Sequence, residues 1–96
     1  MFASGNGGQK GDHCSCDGYV TSPYTISIGA VDNHGKSPWY AERCPASLAV
    51  AYSSGDNTDQ QIVTTDLGSK CTRYHTGSSA ASPIAAGLCI CLLKVA

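Results

Sequence analysis

The feature that most constrains this chain is a run of small residues, 77–87, that leads directly into an apolar segment, 88–95. Gly and Ser at its start are typical of a helix N-terminus, because Ser caps free N–H groups and Gly accepts unusual backbone angles. Pro83 is tolerated only near the start of a helix. The run therefore predicts a buried helix whose N-terminus presents a serine. Unpaired N–H groups at such an end suit an anion or a developing oxyanion, although a capped core helix with a spare hydroxyl fits the same pattern.

The length and composition indicate one small domain. The chain has 96 residues, of which 42% are hydrophobic, only 14% are charged and 11 are glycines, a composition that favours packed strands joined by tight turns. A net charge of −1 gives no electrostatic reason to expect binding to nucleic acid or to an anionic membrane. The apolar tail, residues 85–96, is shorter than a bilayer span, and we expect no cleavable signal segment at Met1.

Six cysteines are a high count for this length. Four lie among polar, turn-forming residues and two in the apolar tail: Cys14, Cys16, Cys44 and Cys71, then Cys89 and Cys91. The first group predicts an oxidising compartment and at least one disulfide. Zinc is not favoured, because the Cys14-x-Cys16 spacing is tighter than usual for zinc ligands and no matching Cys/His pair follows.

Three segments alternate apolar with small or polar residues and predict strands: 24–31, 47–53 and 61–66. The last two are separated by the turn-forming residues 55–59, so we expect them to pair as a hairpin. The Gly-rich segment 5–8 is read as a turn. It is not a phosphate-binding loop, because no Gly-Lys-Ser/Thr sequence follows.

Several motifs in combination resemble the furin/kexin branch of the subtilisin-like serine proteases. They are Ala-Ser-Gly-Asn-Gly-Gly at 3–8, Asp-x-Cys-x-Cys-Asp-Gly-Tyr at 12–19, Trp-Tyr-x-Glu-x-Cys at 39–44, Ile-Val-Thr-Thr-Asp-Leu at 62–67 and Gly-Ser-Ser-Ala-x-x-Pro at 77–83. The resemblance runs from Phe2 to about Gly87, with Ser78 where Thr is usual. It implies an α/β fold with a mostly parallel sheet, flanking helices and the nucleophile at the N-terminus of a central helix.

The resemblance implies roles for individual residues. Ser79 falls on the nucleophile, and Asn6 falls on the residue whose amide completes the oxyanion hole, a donor typically worth roughly 10²–10³ in rate. Asp17 matches the carboxylate that pairs with a basic side chain in the primary specificity pocket. Tyr19 matches a residue that flanks the pocket for a second basic residue further upstream in the substrate.

The same resemblance implies a calcium site and a disulfide. Asp12 and Glu42 match two ligands of a structural calcium beneath the specificity pocket, and hard cations of this kind take oxygen ligands. Cys14 and Cys44 match a disulfide that would close a loop of about 30 residues, worth roughly 3–4 kcal/mol in the chain-entropy model. The partner of Cys71 lies in a family segment that does not occur in this sequence.

His75 stands four residues before Ser79 and could be its general base. Subtilases, however, place Asp, then His, then Ser in chain order, with the base far upstream of the nucleophile. We therefore interpret His75 as a residue that stabilises the loop. No segment with the triad Asp or His is found in this sequence.

The resemblance as a whole implies that residues 1–96 are the C-terminal part of a peptidase catalytic domain, lacking the segments with the triad Asp and His. The full enzyme would be a calcium-dependent serine endopeptidase of the secretory pathway, or a secreted one, that cleaves proprotein precursors after paired or clustered basic residues. It would bind no nucleic acid and would reach a membrane only through other regions. The alternative is a non-catalytic secreted product that binds basic peptide segments.

Overall fold

The computed structural model describes residues 1–96, which form a small parallel sheet, a separate hairpin and one long helix. In chain order the elements are β1 (Phe2–Ala3), β2 (Ser27–Val31), β3 (Ser47–Tyr52), β4 (Ile62–Asp66), β5 (Lys70–His75) and α1 (Ser78–Val95). Short 3₁₀ helices occupy Gly8–Lys10 and Cys14–Cys16 between β1 and β2. This arrangement confirms the predicted α/β class.

The sheet is parallel and has the order β1-β2-β3. Strand β2 lies in the centre and is buried along nearly its whole length, which explains its run of small and β-branched residues. Helix α1 packs against this sheet through a core of Ile28, Ala30, Tyr40 and Ala81. Alanine in the helix at this contact permits close approach to the strands, as the sequence pattern predicted.

The predicted hairpin between residues 47–53 and 61–66 is wrong. Strand β3 pairs in parallel with β2, and β4 pairs with β5 in an antiparallel hairpin whose register sets Ile62 opposite His75 and Asp66 opposite Lys70. The chain reverses at Gly68 and Ser69, which both adopt positive φ, 69° and 57°. Strand β5 is rich in charged and polar residues, so its sequence did not stand out as a strand, and the turn before it was the only signal.

Helix α1 is buried only in its first half, whereas the sequence pattern predicted a buried helix. Its buried residues are Ser78, Ala80, Ala81 and Ser82, whereas Leu88, Leu92 and Val95 in the second half are exposed. The helix has 18 residues and a mean hydropathy of 1.6, so by length and composition alone it could cross a membrane. The tail considered by itself did not reach that length, because the helix begins earlier, at Ser78.

Hydrogen bonds from the segment after β3 fix the chain that enters α1. Ser53 Oγ donates to the carbonyl of Gly77 at 2.8 Å, and Ser54 Oγ donates to the carbonyl of His75 at 2.7 Å. The buried hydroxyl of Tyr40 donates to the carbonyl of Ser54 at 2.9 Å. The central sheet, the end of β5 and the start of α1 are therefore joined through two consecutive serines.

The loop after β2 is closed by a carboxylate. Asp32 is buried and accepts backbone N–H bonds from Lys36 at 2.8 Å and from His34 at 2.9 Å. The Lys36 N–H contributes most to holding the pKa of Asp32 below its usual range, while burial acts in the opposite direction. The His34 imidazole lies 3.4 Å from Asp59, which brings the loops after β2 and β3 together.

The Tyr40 hydroxyl can be tested by Tyr40→Phe. Tyr40 is 2% exposed. The substitution removes its hydroxyl, so the Ser54 carbonyl loses this donor. We expect the free energy of unfolding to fall by about 1 kcal/mol, measured by urea unfolding followed by circular dichroism. Tyr24→Phe is the matched control, since Tyr24 is 96% exposed, and it should change nothing measurable. Equal effects of the two substitutions would contradict this role of Tyr40.

Candidate active site

The N-terminus of α1 is capped from a distant part of the chain. Gly77 is the N-cap residue, with φ of 87°, and supplies no side chain. Instead the side-chain oxygen Oδ1 of Asn6 accepts the backbone N–H of Ser78 at 2.8 Å. The sequence predicted a serine cap, but the capping group comes from the loop after β1, 72 residues away.

Ser78 makes two further hydrogen bonds at this point. Its hydroxyl donates to Asn6 Oδ1 at 2.8 Å and accepts the backbone N–H of Gly5 at 3.1 Å. The residue is 1% exposed. Sequence reasoning assigned no role to Ser78, although the hydroxyl that it shares with the Thr usual in the resembling motif was an available signal.

These contacts determine which way the Asn6 amide faces. A backbone N–H can only donate, so the atom of Asn6 that meets Ser78 must be the carbonyl oxygen, and the amide nitrogen Nδ2 is left for another partner. Nδ2 lies against Gly77, where a Cβ atom would come within 2.8 Å of it. The loop side chain of Asn6 is otherwise exposed, so its N–H groups can reach a ligand at the start of α1.

Ser79 is the second residue of α1 and is exposed. Its hydroxyl makes no hydrogen bond to another residue of the chain. The free N–H groups and the positive end of the helix dipole lie at the same turn. A hydroxyl, the helix N-terminus and the adjoining Asn6 amide therefore meet at one exposed place.

His75 does not form a hydrogen bond with Ser79. It is the last residue of β5, where its carbonyl accepts the hydroxyl of Ser54. Its side chain lines a cavity between the hairpin and α1, together with Ile62, Pro83 and Ile84. The interpretation of His75 as a structural residue agrees with these contacts, although it lies in a strand and not in a loop.

The second part of the candidate site is an open cavity of about 410 Å³ beside the same loop. Three of its lining residues are carboxylates, Asp12, Asp17 and Glu42, and the cavity also contacts Gly5 and Cys16. Negative charge in a partly enclosed space attracts cations and basic side chains. The structure thus places Asp17, for which the resemblance implied a specificity pocket, in one cavity with Asp12 and Glu42, for which it implied a calcium site.

Asp17 has one carboxylate oxygen in use and one free. Oδ1 accepts the backbone N–H groups of Tyr19 at 2.8 Å and of Val20 at 3.1 Å, which holds the carboxylate in place. Oδ2 makes no hydrogen bond or ion pair with another residue of the chain. Tyr19 does not line the cavity. Its ring stacks on Phe2 with centroids 5.3 Å apart, and the residue is 69% exposed.

Asp12 and Glu42 lie directly against the Gly5–Gly7 backbone. Glu42 Oε1 accepts the N–H of Gly7 at 2.9 Å. A Cβ atom at Gly5 would collide with Glu42, and one at Gly7 would collide with Asp12, so only glycine leaves room for the carboxylates. Gly5 also has φ of 109°, which glycine adopts at little cost.

The disulfide of the structure joins Cys14 to Cys44, with Cα atoms 5.1 Å apart, and this is the pair that the resemblance implied. It connects the segments that contain Asp12 and Glu42. Cys16, Cys71, Cys89 and Cys91 are free.

The carboxylate oxygens of Asp12 and Glu42 are of the kind that calcium prefers. Two carboxylates supply at most four oxygens of the six to eight that calcium takes. No three His, Cys, Asp or Glu side chains of the chain are arranged to hold a metal ion. The two residues therefore fit calcium in the type of donor, and further oxygens must come from backbone, water or other chain segments.

Comparison with known proteins identifies the family. The sequence profile of the subtilase family matches residues 1–96, the whole chain. The chain belongs to the subtilase family. Over 88 residues, 92% of its length, it is 57% identical to human and rat proprotein convertase subtilisin/kexin type 5, of which the match covers 5%. It is 54% identical over 88 residues to human furin and to furin-1 of Xenopus laevis, of which the match covers 11%.

The subtilase chain therefore spans a small part of the length of these relatives. Within that part, the loop Gly5–Gly7 contacts both halves of the candidate site. Its first N–H bonds to Ser78 at the start of α1, and its last N–H bonds to Glu42 at the acidic cavity. The family match confirms the resemblance seen in the sequence, whereas the roles of single residues remain predictions.

We expect Ser78 to position Asn6. Ser78→Ala removes the acceptor of the Gly5 N–H and one of the two donors to Asn6 Oδ1. The Gly5 amide should then exchange with solvent about tenfold faster, measured by NMR hydrogen exchange. Ser78→Thr keeps the hydroxyl and should stay near the wild-type rate.

Ser79→Ala is the control for that experiment, because the neighbouring hydroxyl makes no bond within the chain. It should leave the exchange of Gly5 unchanged. An unchanged Gly5 rate in Ser78→Ala would show that the Ser78 hydroxyl does not hold this loop.

Proposed function

We propose that this chain forms the nucleophile and specificity portion of a calcium-dependent serine endopeptidase that cleaves secretory proproteins after paired or clustered basic residues. The proposal draws on the family and on the names of the relatives, proprotein convertases and furin. One observation carries it: the loop Gly5–Gly7 connects the start of α1 to an acidic cavity through two hydrogen bonds. A nucleophile next to a pocket for cations is what cleavage after a basic residue requires.

In this mechanism the Ser79 hydroxyl attacks the carbonyl carbon of the scissile bond. The oxygen of that carbonyl gains negative charge, and the Nδ2 amide of Asn6 donates to it together with the N–H groups at the start of α1. Ser78 keeps the carbonyl of Asn6 turned away, so that the N–H end faces the substrate. The proton of Ser79 must pass to a general base, and no residue of this chain forms a hydrogen bond with that hydroxyl.

Specificity in this proposal comes from Asp17. Its free Oδ2 accepts a guanidinium or ammonium group of the residue before the scissile bond, while Oδ1 is held by two backbone N–H groups. Such a charge-assisted bond is strong, but a two-oxygen contact with arginine would compete with the bonds that Oδ1 already makes. Tyr19, stacked on Phe2 outside the cavity, would contact a second basic residue of the substrate.

Asp12 and Glu42 would hold calcium, which supplies fixed positive charge among the carboxylates beneath the pocket. Glu42 also accepts the Gly7 N–H, and this bond orients the adjoining backbone of Asn6. The disulfide between Cys14 and Cys44 keeps the two carboxylates on adjoining segments, and it requires the oxidising conditions of a secretory compartment.

A second candidate function is a non-catalytic chain that binds basic peptide segments. It is favoured by one observation: the acidic cavity is formed within the chain, whereas Ser79 has no base beside it. Such a chain would bind a peptide containing Arg-Arg without cleaving it.

Turnover by the isolated chain tests whether these 96 residues contain a base for Ser79. We expect the 96-residue chain by itself to show no hydrolysis of an Arg-Arg peptide, because no group removes the Ser79 proton at neutral pH. The assay is release of a fluorescent group from the peptide, with human furin as the positive control. Hydrolysis that Ser79→Ala abolishes would overturn this expectation and would restore His75 as a candidate base.

The roles of Asp17 and Asp12 can be told apart by substitution. The experiment uses an enzyme in which this chain is joined to the segments that contain the triad Asp and His. Asp17→Asn keeps an oxygen for the N–H groups of Tyr19 and Val20, so the fold should persist. It should lose roughly 2–5 kcal/mol of preference for Arg before the scissile bond, measured from kcat/KM of Arg and uncharged substrates.

Asp12→Asn is the matched comparison for that substitution. It should weaken calcium binding first, and excess calcium should restore its activity. If calcium rescued Asp17→Asn and not Asp12→Asn, the roles assigned to these two carboxylates would be reversed.

A further inference from the structure

The loop that carries the predicted oxyanion donor also contains the most reactive amide sequence of the chain. Of the three asparagines, Asn6 precedes Gly7, whereas Asn33 precedes His34 and Asn57 precedes Thr58. The backbone nitrogen after an asparagine can attack the side-chain carbonyl and form a five-membered succinimide ring. Glycine at that position favours the attack, because it has no Cβ to hinder ring closure and adopts many backbone angles.

Both reacting groups of this pair, the Asn6 side-chain carbonyl and the Gly7 nitrogen, are held by hydrogen bonds in the structure. The Asn6 carbonyl oxygen accepts two bonds of 2.8 Å from Ser78, which keep the side chain against the start of α1. The Gly7 N–H is bound to Glu42 at 2.9 Å. Gly77 confines the amide from a third side. Each of these bonds restricts the movement of a reacting group, so we expect them to slow ring closure.

We propose that Asn6–Gly7 is a site of intramolecular deamidation. The hydrogen bonds of Ser78 to Asn6 and of Glu42 to Gly7 slow this reaction in the folded chain. When these contacts open, the Gly7 nitrogen bonds to Cγ of Asn6, the Cγ–Nδ2 bond breaks, and the displaced proton leaves with Nδ2 as ammonia. Water then opens the succinimide and leaves aspartate or isoaspartate at position 6. No oxidant or reductant takes part, and Asn6 is exposed, so water has access.

The consequence rests on the proposed function. A carboxylate at position 6 has no N–H to donate and would repel a developing oxyanion, so one slow reaction would inactivate the site. The modification itself changes the mass of one peptide whether or not the chain is part of an active enzyme. Its test therefore stands apart from any test of proteolysis.

The experiment incubates the full chain at mildly alkaline pH and follows deamidation at each asparagine by peptide mass spectrometry. A synthetic peptide of residues 3–11 gives the rate without the fold. In the folded chain Asn6 should deamidate at least about tenfold more slowly than in the peptide, and Glu42→Ala or Ser78→Ala should each raise the rate about tenfold. Asn33 and Asn57 should stay unmodified over the same period.

Asp66→Ala is the matched control for Glu42→Ala. Asp66 is an exposed carboxylate that also accepts a backbone N–H, from Leu67 at 2.8 Å, but it lies on the hairpin away from Asn6. Its loss should leave the Asn6 rate unchanged. Circular dichroism checks that each variant is folded, and if Glu42→Ala is not, the pair Ser78→Ala and Ser78→Thr decides, with only the first faster than wild type.

Three results would overturn the proposal. The first is an Asn6 rate in the folded chain equal to that in the peptide. The second is a folded Ser78→Ala variant that deamidates at the wild-type rate. The third is deamidation of Asn33 or Asn57 as fast as that of Asn6 when the loop is released.

Discussion

The hydrogen bond from the Ser78 N–H to the side-chain oxygen of Asn6 is the interaction on which the candidate site depends. It caps a helix that has no capping side chain of its own, and it connects the first loop of the chain to the last element. An uncapped helix end costs about 0.5–2 kcal/mol, so the same bond that orients Asn6 also stabilises α1. The orientation of Asn6, the proposed oxyanion donor, and the stability of the helix are therefore coupled in one contact.

Glycine at three positions makes room for the contacts around this loop. Gly77 brings the backbone of the helix start against the Asn6 amide, while Gly5 and Gly7 leave space for Glu42 and Asp12. Glycine is needed at each of these positions because a neighbouring side chain lies where a Cβ atom would be. The consequence is that a loop of three residues can bind a helix on one side and two carboxylates on the other. A side chain at any of the three positions would force one of these neighbours away.

The sequence predicted the family and the fold class because the motifs are local and combine specific residue types at short spacing, as in Asp12 to Asp17. It did not predict that β4 would pair with β5, since the strand Lys70–His75 has no apolar alternation and strand pairing is decided by contacts outside the segment. The role of Ser78 was also missed. Its partners are Gly5 and Asn6, more than 70 residues earlier, and no local pattern encodes such a distance.

The arrangement also explains why the acidic cavity is formed within the chain, whereas Ser79, the proposed nucleophile, has no base beside it. The cavity is formed by segments that a disulfide and backbone hydrogen bonds join over a short stretch of chain, so its carboxylates are positioned within these 96 residues. Catalysis needs more, because a serine hydroxyl is a weak nucleophile until a base removes its proton. In the proposed mechanism Asn6 and the start of α1 would stabilise the charge that develops on the substrate, but they cannot generate the attacking alkoxide. In the proposed function, the groups that would bind a basic side chain and stabilise an oxyanion are thus held within this chain, whereas the reaction rate would depend on where the base comes from.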